Sequence, residues 1–298
     1  MYTQIFGNYL LNRGVINREQ LVHALTLQAS TRVKLGMLAI NEGYMTASEV
    51  EHVVILQTHI DKRFGRLAIK EGYLTEEQVN ELLKKQLPAF FLLGQILVDE
   101  NILTPIQLEN LITDYRSEYE IYDLDSHEEQ SVLVSHLLDN FEFSEDTRHS
   151  AYLKDYLLLL FNNLIRFIGD DFTPLNIMKM PEIPTTYCIS QDMEYTDFHV
   201  SSAIDIDVTA SIAFASRYAD ELFVEFDEYV QASIEDFLNL HNGLFLINMS
   251  NNYSFELTLL PPKTETDAIF STQKTTYLIP VLFPFGTVHF ICSIYPTN

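Results

Sequence analysis

Gly7, Gly36, Gly65 and Gly94 stand 29 residues apart, and the text around them recurs with them. The copies read IFGNYLLNRGVINREQL from Ile5, KLGMLAINEGYMTASEV from Lys34, RFGRLAIKEGYLTEEQV from Arg63 and LLGQILVDENILTPIQL from Leu92. A fixed period of this length means one supersecondary unit used repeatedly. Such a unit cannot bury its apolar side alone, so neighbouring copies must cover it.

Each copy predicts helix, tight turn, helix. Gly14, Gly43 and Gly72 stand where a helix stops in the left-handed conformation, and Asn101 does so in the fourth copy. Three residues beyond each stop comes an N-cap residue, Asn17, Thr46, Thr75 and Thr104. Three further on, Gln20, Glu49, Gln78 and Gln107 can close a capping box. Pro105 suits the first helical position. In the second helices, Leu21 and Leu25, Val50 and Val54, Val79 and Leu83, and Leu108 and Ile112 are the expected core positions. Gln28, Gln57 and Gln86 close three of these helices, as bridges to a neighbouring copy or as ligand contacts.

The repeated Leu-Gly, Gly and terminal Gln pattern over residues 1–116 resembles the N-terminal domain of type II secretion and type IV pilus ATPases, the MshE type. The resemblance implies two tandem units. It also implies either cyclic di-GMP binding or docking of a secretion, pilus or motility protein. Lys34 and Arg63 fill the cationic position that opens the family pattern, whereas Ile5 and Leu92 stand there in the outer copies. These two cations are the expected cyclic di-GMP contacts, and a solvated helix start is their other reading.

The formal charge is −24 and unevenly placed. Residues 1–120 hold 11 Lys and Arg against 15 Asp and Glu; the remainder holds 7 against 27. Sequence-independent binding of nucleic acid or an anionic membrane is not expected of the acidic part. Residues 117–150 form an acidic linker, with SVLVSHLLDNF from Ser131 as a short amphipathic helix within it. Cys188 and Cys292 have no metal or disulfide spacing, and His52 and His59 lack a third ligand. No metal or cofactor is therefore expected in this chain. Without an export signal or a long apolar run, a cytoplasmic location is expected.

Residues 151–298 mix periods. YLKDYLLLLFNNLIRFIGDDF predicts a helix, HVSSAIDIDVTASIAFA predicts strands, and ASRYADELF a short helix. FDEYVQASIEDFLNLHNG predicts a long helix stopped at Asn242–Gly243. Strands are expected around Phe245–Ser250, Tyr253–Leu260, Thr276–Phe283 and Thr287–Tyr295. The fold class that follows is multidomain: an all-α helical-repeat domain, then an α+β domain with helices on a mostly antiparallel sheet. In the long helix, Val230, Ile234, Phe237 and His241 make one buried stripe. Asp236 and Asn239 fall about 240° and 180° from Val230, on the outward face with small Ala232, and Glu235 is close to it. They are either the wet side of an amphipathic helix or a carboxylate and amide held ready to grip a partner.

This order of elements, with an acid, two residues, Asn239 and then Gly243, resembles the CheC/CheX chemotaxis phosphatase family, CheX more closely. The resemblance covers about residues 151–298. It implies binding of a response-regulator receiver domain and hydrolysis of its aspartyl phosphate. Asn239 would position the attacking water and Asp236 would pair with a regulator lysine, while Mg would belong to the regulator. Asp236 is one methylene shorter than the family's Glu, and Glu235 is the alternative acid.

Overall fold

The computed structural model describes residues 2–28, 31, 33–60, 62–84, 89–118, 147–272 and 275–296. Gln86 and residues 119–146, with the SVLVSHLLDNF island, lie outside them. The chain divides into two compact units, one of Tyr9–Asp125 with Tyr2, the other of Ser126–Asn298 with Met1 and Thr3–Asn8.

Residues 2–118 form helices α1 (Tyr2–Asn12), α2 (Arg18–Gln28), α3 (Leu35–Asn41), α4 (Ala47–His59), α5 (Phe64–Lys70), α6 (Glu76–Leu82), α7 (Ala89–Asp99) and α8 (Pro105–Glu118). Local chemistry sets their ends. Gly14, Gly43, Gly72 and Asn101 all have positive φ, between 57° and 79°. The side chains of Thr46 and Thr75 accept from the backbone N–H of Glu49 and Gln78, whose side chains accept in return. Asn17 with Gln20 and Thr104 with Gln107 make the same reciprocal bonds. Each box satisfies two helix-end N–H groups that would otherwise lack partners.

Leu21, Leu25, Val50, Leu108 and Ile112 are buried. Three expected core residues are not: Val79 is half-buried, Val54 is 49% exposed and Leu83 67%. In α4 and α6 the covered stripe advances by three residues, to Val53 and Leu82, instead of four. Leu83 also falls on the C-cap of a seven-residue helix, beyond its packed turn. Leu38, Ala39, Val53, Leu67, Ala68 and Leu82 form one apolar cluster with Met45, Val50 and Leu74.

The second unit holds α9 (Thr147–Phe167), β1 (Thr173–Pro174), β2 (Met178–Met180), β3 (Ile183–Glu194), β4 (Phe198–Asp205), α10 (Val208–Ala219), α11 (Glu228–Tyr253), β5 (Thr258–Leu259), β6 (Lys263–Phe270), β7 (Thr276–Phe283) and β8 (Gly286–Pro296). The sheet order is β1-β7-β8-β4-β3-β5, with β2 on β7 and β6 on β3. All of these pairings are antiparallel. Helices pack on one face: Tyr156 of α9 meets Ser202 of β4 through their hydroxyls at 2.6 Å. The Phe237 ring of α11 lies edge-on to Phe214 of α10, at 5.1 Å between centroids. Arg217 ties α10 to the segment after α9, donating to both carboxylate oxygens of Asp171.

Four expected elements change. The stretch from His199 is strand only to Asp205; Asp207 then caps α10 by accepting from Ala210 N–H at 2.9 Å. The long helix does not stop at Asn242–Gly243 but continues to Tyr253, and Phe245–Ser250 is helical rather than a strand. Asn242 is fully buried and spends its amide on Gln191, so it is not a cap. Phe245 and Met249 extend the buried stripe at four-residue steps, and the left-handed stop comes at Ser254, φ 60°. Of Tyr253–Leu260, only Thr258–Leu259 is strand. The long β3 was not among the expected elements.

Candidate functional site

The site is built on α11. Asp227 starts the helix, its Oδ1 accepting from the N–H groups of Tyr229 and Val230 at 3.0 Å. Val230, Ile234, Phe237 and His241 are buried, as their spacing requires. Packing of that stripe against α9, α10 and the sheet holds the opposite face rigidly outward. Ala232, Asp236 and Asn239 are exposed there, and Glu235 is half-buried.

Neighbouring elements set the direction of each polar side chain. Asp236 Oδ2 accepts from the Tyr218 hydroxyl of α10 at 2.6 Å. Burial, and then this bond, raise the Tyr218 phenol above its ordinary range, so it stays a donor. Asn239 Oδ1 accepts from Gln191 Nε2 of β3 at 2.9 Å. Glu235 Oε1 accepts from the Thr264 hydroxyl of β6 at 3.0 Å. Asp236 and Asn239 therefore share the exposed face, three residues apart and about 5–6 Å between β-carbons. Glu235 turns to the sheet edge instead. Asp236 is thus the more exposed of the two acids, and Asn239 is an exposed amide beside it.

Gln191 was missed in the sequence reading. It is 2% exposed and makes three bonds: to Asn239, to the Leu260 carbonyl at 2.9 Å, and from Asn242 Nδ2 at 2.9 Å. A glutamine within an unassigned strand gives no sign of which face it takes. Only reading Ile183–Glu194 as a strand could have drawn attention to an amide among its inward positions.

Beneath the site, His241 Nδ1 pairs with Asn163 Nδ2 at 3.1 Å, and its ring stands edge-on to Tyr156. Burial lowers its pKa to about 3, so it is a neutral core residue. Cys188 and Cys292 are free and buried, with thiols pushed up by burial. Among the described residues no group of three His, Cys, Asp or Glu could hold a metal ion, and no helix is long and apolar enough to cross a membrane.

In the helical unit, Lys34 and Arg63 occupy the N-cap positions of α3 and α5. Lys34 Nζ is held by Asp99 at 2.6 Å. A cavity of about 560 Å³ is lined by Lys34, Val54, Ile55, Gln57, Phe64 and Asp99 among others, but Arg63 does not line it. The two cations are thus not brought to one pocket. Gln57 lines the cavity and also donates to the Lys62 carbonyl at 3.0 Å.

No protein-family model matches the chain, and no curated protein matches it either. Among the solved structures similar to its C-terminal half are CheC-like and CheX chemotaxis proteins. A CheC-like superfamily protein from Shewanella sp. PV-4 is 14% identical, over 48% of this chain and 96% of that one, with a TM-score of 0.43. CheX from Desulfovibrio desulfuricans is 11% identical over 48% and 99%, TM-score 0.42. A CheX–CheY–BeF3–Mg complex from Borrelia burgdorferi matches at 16% over 48% and 97%, TM-score 0.38.

Proposed function

We propose that the C-terminal unit binds a response-regulator receiver domain and hydrolyses its aspartyl phosphate. The observation that carries this reading is the exposed pair Asp236 and Asn239, held three residues apart on a helix whose other side is buried. Asp236 docks a partner lysine as its counter-charge. Asn239 enters the partner's phosphorylated pocket, where its amide orients one water. The water oxygen bonds to phosphorus, and the bond to the regulator's carboxylate oxygen breaks with its electron pair. Both water protons leave on the phosphate, so the products are carboxylate and dihydrogen phosphate. The Mg needed to neutralise the phosphoryl oxygens is the regulator's. Phosphorylated CheY, mixed with the full chain, tests this directly. Asn239→Ala should remove about 100-fold or more of any acceleration while binding changes little. Phosphate loss at the same rate with and without the wild-type chain rejects hydrolysis. Binding that survives without turnover supports the second reading, a non-catalytic adaptor.

The adaptor reading has its own support in the helical unit. Exposed Val54 and Ile55 line an apolar cavity with carboxylates Glu51 and Asp99, a lining better suited to a partner's apolar side chains than to an anionic nucleotide. In that reading the helical unit docks a secretion, pilus or motility protein. Cyclic di-GMP at Lys34 and Arg63 is the remaining alternative. Calorimetry of the full chain with cyclic di-GMP decides it, and no heat at tens of micromolar removes it.

A further inference from the structure

Gln191 is the residue that decides which way the Asn239 amide faces. An amide can be turned end for end at little cost unless its partners distinguish oxygen from nitrogen. Here they do. The Leu260 carbonyl can only accept, so the Gln191 atom 2.9 Å from it must be the NH2 group. That same nitrogen donates to Asn239 at 2.9 Å, and the Asn239 atom it meets must therefore be Oδ1. Gln191 Oε1 is left to accept from Asn242 Nδ2 at 2.9 Å, which fits. One backbone carbonyl thus propagates a polarity through Gln191 to the surface.

We infer that Gln191 is a positioning residue that locks the Asn239 carboxamide with its NH2 group outward, and this rests on the proposed hydrolytic reading of Asn239. Asn239 Nδ2 has no hydrogen-bond partner among the described residues, and the side chain is exposed. Oδ1 has a second lone pair beyond the one Gln191 uses. The outward amide therefore offers a donor for a phosphoryl oxygen and, beside it, an acceptor for one hydrogen of water. An unlocked Asn239 would present the reversed order half the time and rotate about its side-chain bonds. Gln191 lies beneath Asn239, reaching the reaction only through it, and its buried position makes it rigid.

Two substitutions separate orientation from packing. Gln191→Met keeps the volume and removes the donor. Gln191→Glu keeps the shape and takes the donor away from Asn239: the buried acid spends its one O–H on the Leu260 carbonyl, and the same oxygen accepts from Asn239 Nδ2 and turns Oδ1 outward. With phosphorylated CheY as substrate, both should lower kcat by about 10- to 100-fold with KM unchanged. A readout in the unmodified full chain needs no partner and no variant: solvent exchange of the Asn239 side-chain NH2 protons by NMR. They should exchange freely in wild type and about tenfold more slowly in Gln191→Glu. Protected NH2 protons in the wild-type chain overturn the assignment outright. Wild-type kcat in a folded Gln191→Glu variant, where Asn239→Ala is inactive, also overturns it. If Asn239→Ala is itself without effect, the hydrolytic reading fails, and the exchange measurement still decides the orientation.

Discussion

His241 shows at the scale of one residue how burial overrides chemical type. Histidine is the side chain most often suspected of function near neutral pH, yet this one sits 1% exposed within the apolar stripe of α11. Burial strips the charged imidazolium of its solvation, and the pKa falls to about 3. In the unfolded chain the imidazole takes its proton near pH 6.5. Between those values the unfolded state binds more protons, and stability falls as pH falls. From pH 7 to pH 5 this one group should remove about 2 kcal/mol. Urea unfolding at the two pH values tests it. His241→Leu should lose that part of the pH dependence, even if its stability at pH 7 is lower. Equal pH slopes in the two proteins would reject the assignment.

At the scale of elements, the 29-residue stride has a steric cause. A Cβ on Gly36 would meet Val50 Cγ1 at 2.7 Å, one on Gly65 would meet Val79 Cγ1 at 3.2 Å, and one on Gly94 would meet Leu108 Cδ1 at 2.7 Å. Each of these glycines lies 14 residues before its neighbour, so in these three copies the first helix touches the second at one fixed point. Gly243 is the opposite case: a Cβ there meets nothing within 4 Å, and the backbone is helical. The same substitution should therefore act with opposite signs. Gly36→Ala must displace a stiff β-branched valine and should destabilise by about 1–2 kcal/mol net of its better helix propensity. Gly243→Ala should stabilise by about 0.5–1 kcal/mol. Thermal melts of the two variants check both, and the same sign for both would show this steric account to be wrong.

At the scale of the molecule, charge follows the division of labour proposed above. No Lys or Arg occurs between Arg217 and Lys263, while Asp220, Glu221, Glu225, Asp227, Glu228, Glu235, Asp236 and Glu256 all do. The helix that bears the candidate pair thus lies in a stretch of sequence with acids and no cations, which would draw a partner with basic groups around its phosphorylation pocket. The association rate with phosphorylated CheY should fall about tenfold or more between 50 and 500 mM salt, with a smaller change in dissociation. A salt-independent association rate would mean that the acidic surface plays no part in docking.

What local chemistry could determine was legible in the residues themselves. Asn17, Thr46, Thr75 and Thr104 form their capping boxes because the partners lie three residues away, within the same turn. The stripe Val230, Ile234, Phe237 and His241 is buried because one period governs one helix. Asn242–Gly243 misled because it carries the local signs of a stop, whereas Asn242 is used 51 residues away by Gln191. Gln191 itself, the exposure of Val54, and the turning of Glu235 toward Thr264 all depend on which strands and helices come to lie together. Capping and periodicity act over a few residues of chain and can be read along it. The orientation of the Asn239 amide is set by a carbonyl from another strand connection, and only tertiary packing brings that carbonyl within reach.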